Sequence, residues 1–180
     1  MPESGTESDA DYFADALDSV FGVRMPAQGD PGSTGRYENA ALPAWCADGG
    51  APFLAYRIAD QSGDNTRLFA HYQWDAGVYL ADLLAEGSAR ADGSALDVRG
   101  RCVVELGAGT GLPGLVAAAS GAAETVITDY PDVHVLSNLR HNLAQLQARA
   151  AAHAAPMRQA SVAGLAWGDE AQERCVAPPT

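Results

Sequence analysis

Apolar residues recur along this chain at two spacings, and the spacing changes where glycine and proline fall. Between 53 and 59, Phe53, Ala55, Arg57 and Ala59 alternate with Leu54, Tyr56 and Ile58, which predicts a strand. The run Gln61–Asn65 then predicts a turn, with Arg67–Phe69 as the returning arm of a hairpin. From 73 to 86 the period becomes helical, with Trp74, Val78, Ala81 and Leu84 on one face and Gly87 as the stop. Three apolar runs follow, at 101–106, 124–128 and 158–166, each predicted as a strand. Helices are predicted between them, at 112–120 and 132–150; the second carries Val135, Leu139, Leu143 and Leu146 on one face. Pro113 falls in a first turn, where its missing N–H is harmless, and Gly121 ends that helix. Pro131 opens the next helix.

The flanks lack this periodicity. Residues 1–10 are polar and predicted disordered. Tyr12, Phe13, Leu17, Val20 and Phe21 predict a short amphipathic helix over 11–21. Residues 22–51 are rich in glycine, proline and small polar residues and read as a loop. The last dozen residues end in Pro-Pro-Thr and read as unstructured. The expected organisation is an extension over 1–52, a domain over 53–168 and a disordered tail over 169–180.

Composition narrows the possibilities. The 180 residues are 47% apolar, enough for one domain with a core. The net charge is −12, and all eleven cations are arginine. Nucleic acid is disfavoured as a partner, because phosphate binding needs a basic footprint. No apolar stretch approaches the roughly 20 residues that cross a bilayer, and no signal peptide is evident, so a cytoplasmic location is expected. The three cysteines, at 46, 102 and 175, form no CxxC and suggest a reducing compartment. Cys102, at the start of a predicted buried strand, reads as a small core residue. No metal site is expected.

The chemistry concentrates at 103–114, Val-Val-Glu-Leu-Gly-Ala-Gly-Thr-Gly-Leu-Pro-Gly. A strand delivers Glu105, glycines stand at 107, 109, 111 and 114, a helix begins, and a second strand ends at Asp129. Glycine allows backbone to approach a ligand and adopts positive φ without penalty. The order strand, glycine loop, helix, strand, acid is half of a nucleotide-type α/β site. Gly109-x-Gly111-x-x-Gly114 satisfies the dinucleotide pattern, and Asp129 lies 20 residues beyond Gly109, so an NAD-linked oxidoreductase is one reading. A tight turn with no ligand is another. Glu105 and the alternating Glu-x-Gly-x-Gly-x-Gly instead resemble the loop of seven-strand methyltransferases that use S-adenosyl-L-methionine. In such a site Glu105 would order the loop and reach the methionine end through water. Asp129 would accept hydrogen bonds from ribose hydroxyls, because a carboxylate only accepts. Trp167 ends the third strand, where ligands of such sheets bind, and could lie against an adenine face. His71 reads as a packing or surface histidine rather than a base.

Four motifs extend the resemblance: Phe69–Leu84 with its Tyr-x-Trp-x-Ala-Gly, Val104–Gly114, Thr128-Asp-Tyr-Pro-Asp132, and Leu165-Ala-Trp-Gly168. Together they resemble methyltransferase family 16, the lysine-methyltransferase-like proteins. They are most similar to the fungal branch formerly called nicotinamide N-methyltransferase-like, which methylates translation elongation factor 1-alpha on its N-terminal glycine and adjacent lysine. The resemblance implies that Trp74, Gly107, Ala108, Gly109, Asp129 and Trp167 contact S-adenosyl-L-methionine. It also matches Asn138 and Asn142 to polar family positions, without a ligand. It implies a Rossmann-like seven-strand methyltransferase fold of order 3-2-1-4-5-7-6, preceded by a small helix and hairpin extension. This chain supplies only strands 1–3 with flanking helices, so strand 4 and the acceptor loops are expected beyond residue 180, and strand 101–106 becomes an edge. No catalytic residue can be placed. The implied function is methyl transfer to a protein amine; a non-catalytic module that binds adenosylmethionine or a partner is the alternative.

Overall fold

The computed structural model describes residues 30–62, 68–90 and 96–176. The helix expected at 11–21 and most of the turn after Gln61 lie outside the described residues. The described residues form two sheets. One is an antiparallel hairpin of β1 (Thr34–Glu38) and β2 (Phe53–Arg57). The other is a parallel sheet of β3 (Cys102–Glu105), β4 (Glu124–Asp129) and β5 (Gln159–Gly164), with β4 in the centre. Helix α1 (Asp75–Ala89) precedes β3. Helices α2 (Leu112–Ala119) and α3 (Val133–Ala152) are the crossovers, and α4 (Glu170–Val176) follows β5. The alternation of elements gives a parallel α/β sheet, whose strands need such crossover helices.

The cores of these elements follow their apolar spacing. Leu54, Tyr56 and Ile58 are buried while their neighbours in β2 are half-buried. Val135, Leu139, Leu143 and Leu146 form the buried stripe of α3. Asp132 caps that helix, its carboxylate accepting the N–H of His134 and Val135 at 2.8 and 3.1 Å. Every residue of α2 is buried, as expected of a short helix packed between α1, α3 and the sheet.

The structure differs from the sequence reading at five places. The stretch 22–51, read as loop, contains β1 and a 3-10 turn at Ala44–Cys46. The hairpin partner of β2 therefore lies upstream; Leu68 and Phe69 sit in a turn. Gly35 pairs with Tyr56, whose ring lies where a Cβ on Gly35 would stand, 2.4 Å from Cζ. Gly87 does not stop α1: it is buried inside it, and a Cβ there would meet Leu96 at 3.0 Å. The tail expected to be disordered holds α4, anchored by Val176. Cys102 is exposed rather than core, because β3 pairs with β4 alone and forms the sheet edge among the described residues.

The hairpin is fastened to the helices by polar contacts. Asp82 of α1 accepts from the Tyr37 hydroxyl and the Asn39 amide, both at 2.8 Å. Arg149 of α3 donates to the Cys46 carbonyl at 2.6 Å, pairs with Asp48 at 2.9 Å and lies 4.1 Å from the Phe53 ring centre. Among the described residues no helix is long and apolar enough to cross a membrane.

Candidate functional site

The strand ends of β3 and β4, the loop after β3 and the start of α1 enclose one cleft of about 790 Å³. The loop follows from its glycines. Gly107, Gly109 and Gly111 take φ of +62°, +56° and +80°, left-handed backbone that other residues reach only under strain. The loop's amides then find partners on β4. Ala108 N–H donates to the Thr128 carbonyl at 3.0 Å, and Gly109 N–H to Asp129 Oδ2 at 2.7 Å. Asp129 Oδ1 accepts from Tyr130 N–H at 2.7 Å. Each oxygen keeps a second lone pair for a ligand.

Glu105 closes the other side. Gly111, the N-cap of α2, has no side chain to satisfy the first turn, and Pro113 has no N–H. Glu105 Oε2 takes that role, accepting from Gly114 N–H at 2.9 Å. The contact needs glycine at 114: a Cβ would stand 2.5 Å from Oε2 and 2.7 Å from Ile127 Cγ1. Burial pushes the Glu105 carboxyl up to about 8; the Gly114 N–H pulls it down, and the Asp129 charge pushes it further up.

All seven sequence-predicted residues line this cleft: Trp74, Glu105, Gly107, Ala108, Gly109, Asp129 and Trp167. Trp74 is the N-cap of α1 and is partly exposed; its Nε1–H donates to the Phe69 carbonyl at 3.3 Å. Phe69 itself has φ of +54°. Trp167 is 77% exposed, so its ring faces solvent and the cleft rather than the core. A Cβ on Gly107 would lie 3.7 Å from its Cζ2, ordinary contact distance. The turn that carries Trp167 is held by Ala166 N–H to Gln172 Oε1 and Gly168 N–H to Glu173 Oε1, at 2.8 and 2.9 Å. These bonds come from α4, whose role the sequence did not signal. His71 is buried against Tyr72 and is not among the cleft-lining residues.

Sequence reasoning missed a second layer behind the loop. Thr110 donates its hydroxyl to Gln73 Oε1, and its carbonyl accepts from Asn142 Nδ2 at 2.9 Å. Asn138 and Asn142, noted only as polar positions, bind the end of β2. Asn142 Oδ1 accepts from Arg57 N–H at 2.7 Å, and Asn138 Oδ1 accepts from Arg57 Nε–H at 2.7 Å. Both amides donate back to the Arg57 carbonyl, at 3.0 and 2.9 Å. The available signal was two asparagines four residues apart on the apolar face of a helix, where a polar group must find partners.

Among the described residues no arginine, lysine or histidine lines the cleft, and its two carboxyls there are Glu105 and Asp129. Among the described residues no cluster of His, Cys, Asp or Glu could hold a metal ion.

Comparison with known proteins fits this geometry. The sequence model of the lysine methyltransferase family matches residues 57–179. A Yarrowia lipolytica protein named "Protein N-terminal and lysine N-methyltransferase EFM7" is 40% identical over 115 residues, covering 59% of this chain and 40% of that protein. Its namesake in Schizosaccharomyces pombe is 39% identical over 106 residues, covering 59% and 36%. The one in Candida albicans is 34% identical over 106 residues, covering 59% and 37%. The chain spans about two-fifths of the length of the curated relatives it matches.

Proposed function

The chain belongs to the lysine methyltransferase family, and on that premise we propose that its cleft binds S-adenosyl-L-methionine and serves methyl transfer to an amine of a protein. The observation that carries the reading is the Glu105–Gly114 contact. In a dinucleotide site the pyrophosphate takes the N–H groups at the helix start after the glycine loop. Here the chain's own carboxyl takes one of them, and among the described residues no cation lines the cleft to offset a ligand's negative charge. A ligand bearing a sulfonium and an ammonium suits a cleft that presents the Asp129 carboxylate and, among the described residues, no cation better than a pyrophosphate does. The cleft's volume lies within the roughly 300–1,000 Å³ of small-molecule sites.

Bound S-adenosylmethionine would supply a methyl group on a sulfonium that leaves as a neutral thioether. The chain's residues provide position rather than acid or base. Asp129 offers its free lone pairs to the ribose hydroxyls. Gly107 and Gly109, which carry no side chain, admit the amino-acid tail close to backbone, and a Cβ on Gly109 would meet nothing of the chain within 4 Å. Trp167 and Trp74 offer aromatic faces that exclude water from the cleft's mouth. Holding donor and acceptor in line is the main source of rate for such a transfer.

The relatives are named as methyltransferases of protein N-termini and lysines. The proposed acceptor is the N-terminal glycine or adjacent lysine of translation elongation factor 1-alpha. Incubation with methyl-labelled donor and that factor tests it: label is expected on the factor's N-terminal peptide. Donor binding with no label on the factor would contradict transfer by this chain and favour the non-catalytic binding module.

A further inference from the structure

The glycine loop carries three left-handed glycines in five residues, so it has much freedom to lose when a ligand is clasped. Whatever holds the loop in shape beforehand lowers the cost of binding. The strand-side ties reach Ala108 and Gly109. On the helix side the load falls on Thr110, which is buried and held from two elements. Its hydroxyl donates to buried Gln73, which immediately precedes the N-cap of α1. Its carbonyl accepts from buried Asn142, on α3. Asn142 is fully used: its oxygen takes the Arg57 N–H and its two amide hydrogens serve the carbonyls of Arg57 and Thr110. One side chain thereby joins the end of the β1–β2 hairpin to the ligand loop.

We infer that Thr110, clamped by Gln73 and Asn142, is the positioning residue that sets how tightly the glycine loop holds its ligand, and that the hairpin acts on the loop through Arg57 and Asn142. The inference rests on the S-adenosylmethionine reading of the cleft. Thr110 does not act on the ligand with its hydroxyl, which is spent on Gln73; it acts by fixing the backbone between Gly109 and Gly111.

Calorimetric titration of the full chain with S-adenosylmethionine separates this role from mere stability. Thr110→Val keeps the side-chain shape and loses the hydroxyl; Thr110→Ser keeps the hydroxyl and loses a buried methyl. The expected result is a Kd raised at least fivefold in Thr110→Val and held within twofold of the parent in Thr110→Ser, although the serine variant melts at lower temperature. Asn142→Asp, which turns an acceptor toward two carbonyls, is expected to weaken binding as Thr110→Val does; if it does not fold, the Thr110 pair decides. Binding by Thr110→Val within twofold of the parent, or equal weakening in both Thr110 variants, would overturn the inference while leaving the proposed ligand intact. No uptake by the parent chain would overturn both.

Discussion

Glycine 114 and glutamate 105 define each other. The carboxyl stands where any side chain on 114 would go, and Ile127 walls the other side. Ile127 cannot retreat cheaply, since it is fully buried. Gly114→Ala is therefore expected to destabilise the protein by about 1–3 kcal/mol despite alanine's better helix propensity, read as a lower urea midpoint. An unchanged midpoint would mean that the carboxyl is not seated there. Glu105 also links stability to pH. Its folded value is raised from 4.5 to about 8, so the ionised form is the costly one. The stability it contributes is complete below 4.5 and is lost as pH rises toward about 8. Glu105→Gln keeps an oxygen for the Gly114 N–H and removes the charge. Across that window its melting temperature should fall less with pH than the parent's; parallel curves would contradict the buried-carboxyl assignment.

At the scale of elements, β3 is one edge of the parallel sheet among the described residues and its Cys102 is exposed, as is Cys175 of α4. Cys46 is fully buried, and burial pushes its thiol up to about 11. Alkylation of the native protein at neutral pH should label Cys102 and Cys175 and spare Cys46 until unfolding; comparable labelling of Cys46 would contradict its packing. The legible elements were those with a sustained period and firm punctuation. The stripe of α3, bounded by Pro131 and Asp132, and the three runs that became β3, β4 and β5 emerged within a few residues of their ends. β1 was illegible because Thr-Gly-Arg-Tyr-Glu buries only Gly35 and Tyr37, a signal too short to stand out among glycines and prolines. α4 was illegible because it is polar and buries only Val176. Gly87 misled because its lack of a side chain serves the packing of Leu96, not a helix end. The cleft's inner face was legible because its chemistry sits in contiguous motifs. The clamp behind it was not, because Gln73, Thr110, Asn142 and Arg57 are scattered over 86 residues and only tertiary folding brings them together.

Across the whole molecule, the hairpin, α1 and α3 brace a cleft whose floor is the parallel sheet. The hairpin reaches α1 through Asp82 and α3 through Arg57 and Arg149. The chain is acidic as a whole, and Asp129 gives the cleft the same sign, with no compensating cation among the described residues. On the proposed S-adenosylmethionine reading, the loop tied to Asp129 and the absence of a lining cation among the described residues favour a methyl donor over a dinucleotide on the same topology. Calorimetric titration of the chain and of Asp129→Ala, with S-adenosylmethionine and separately with NAD, tests it most directly. The parent is expected to bind S-adenosylmethionine and not NAD, and Asp129→Ala to weaken donor binding at least tenfold, about 1.4 kcal/mol. NAD uptake without donor uptake, or a donor affinity unmoved by removing the Asp129 carboxylate, would contradict it.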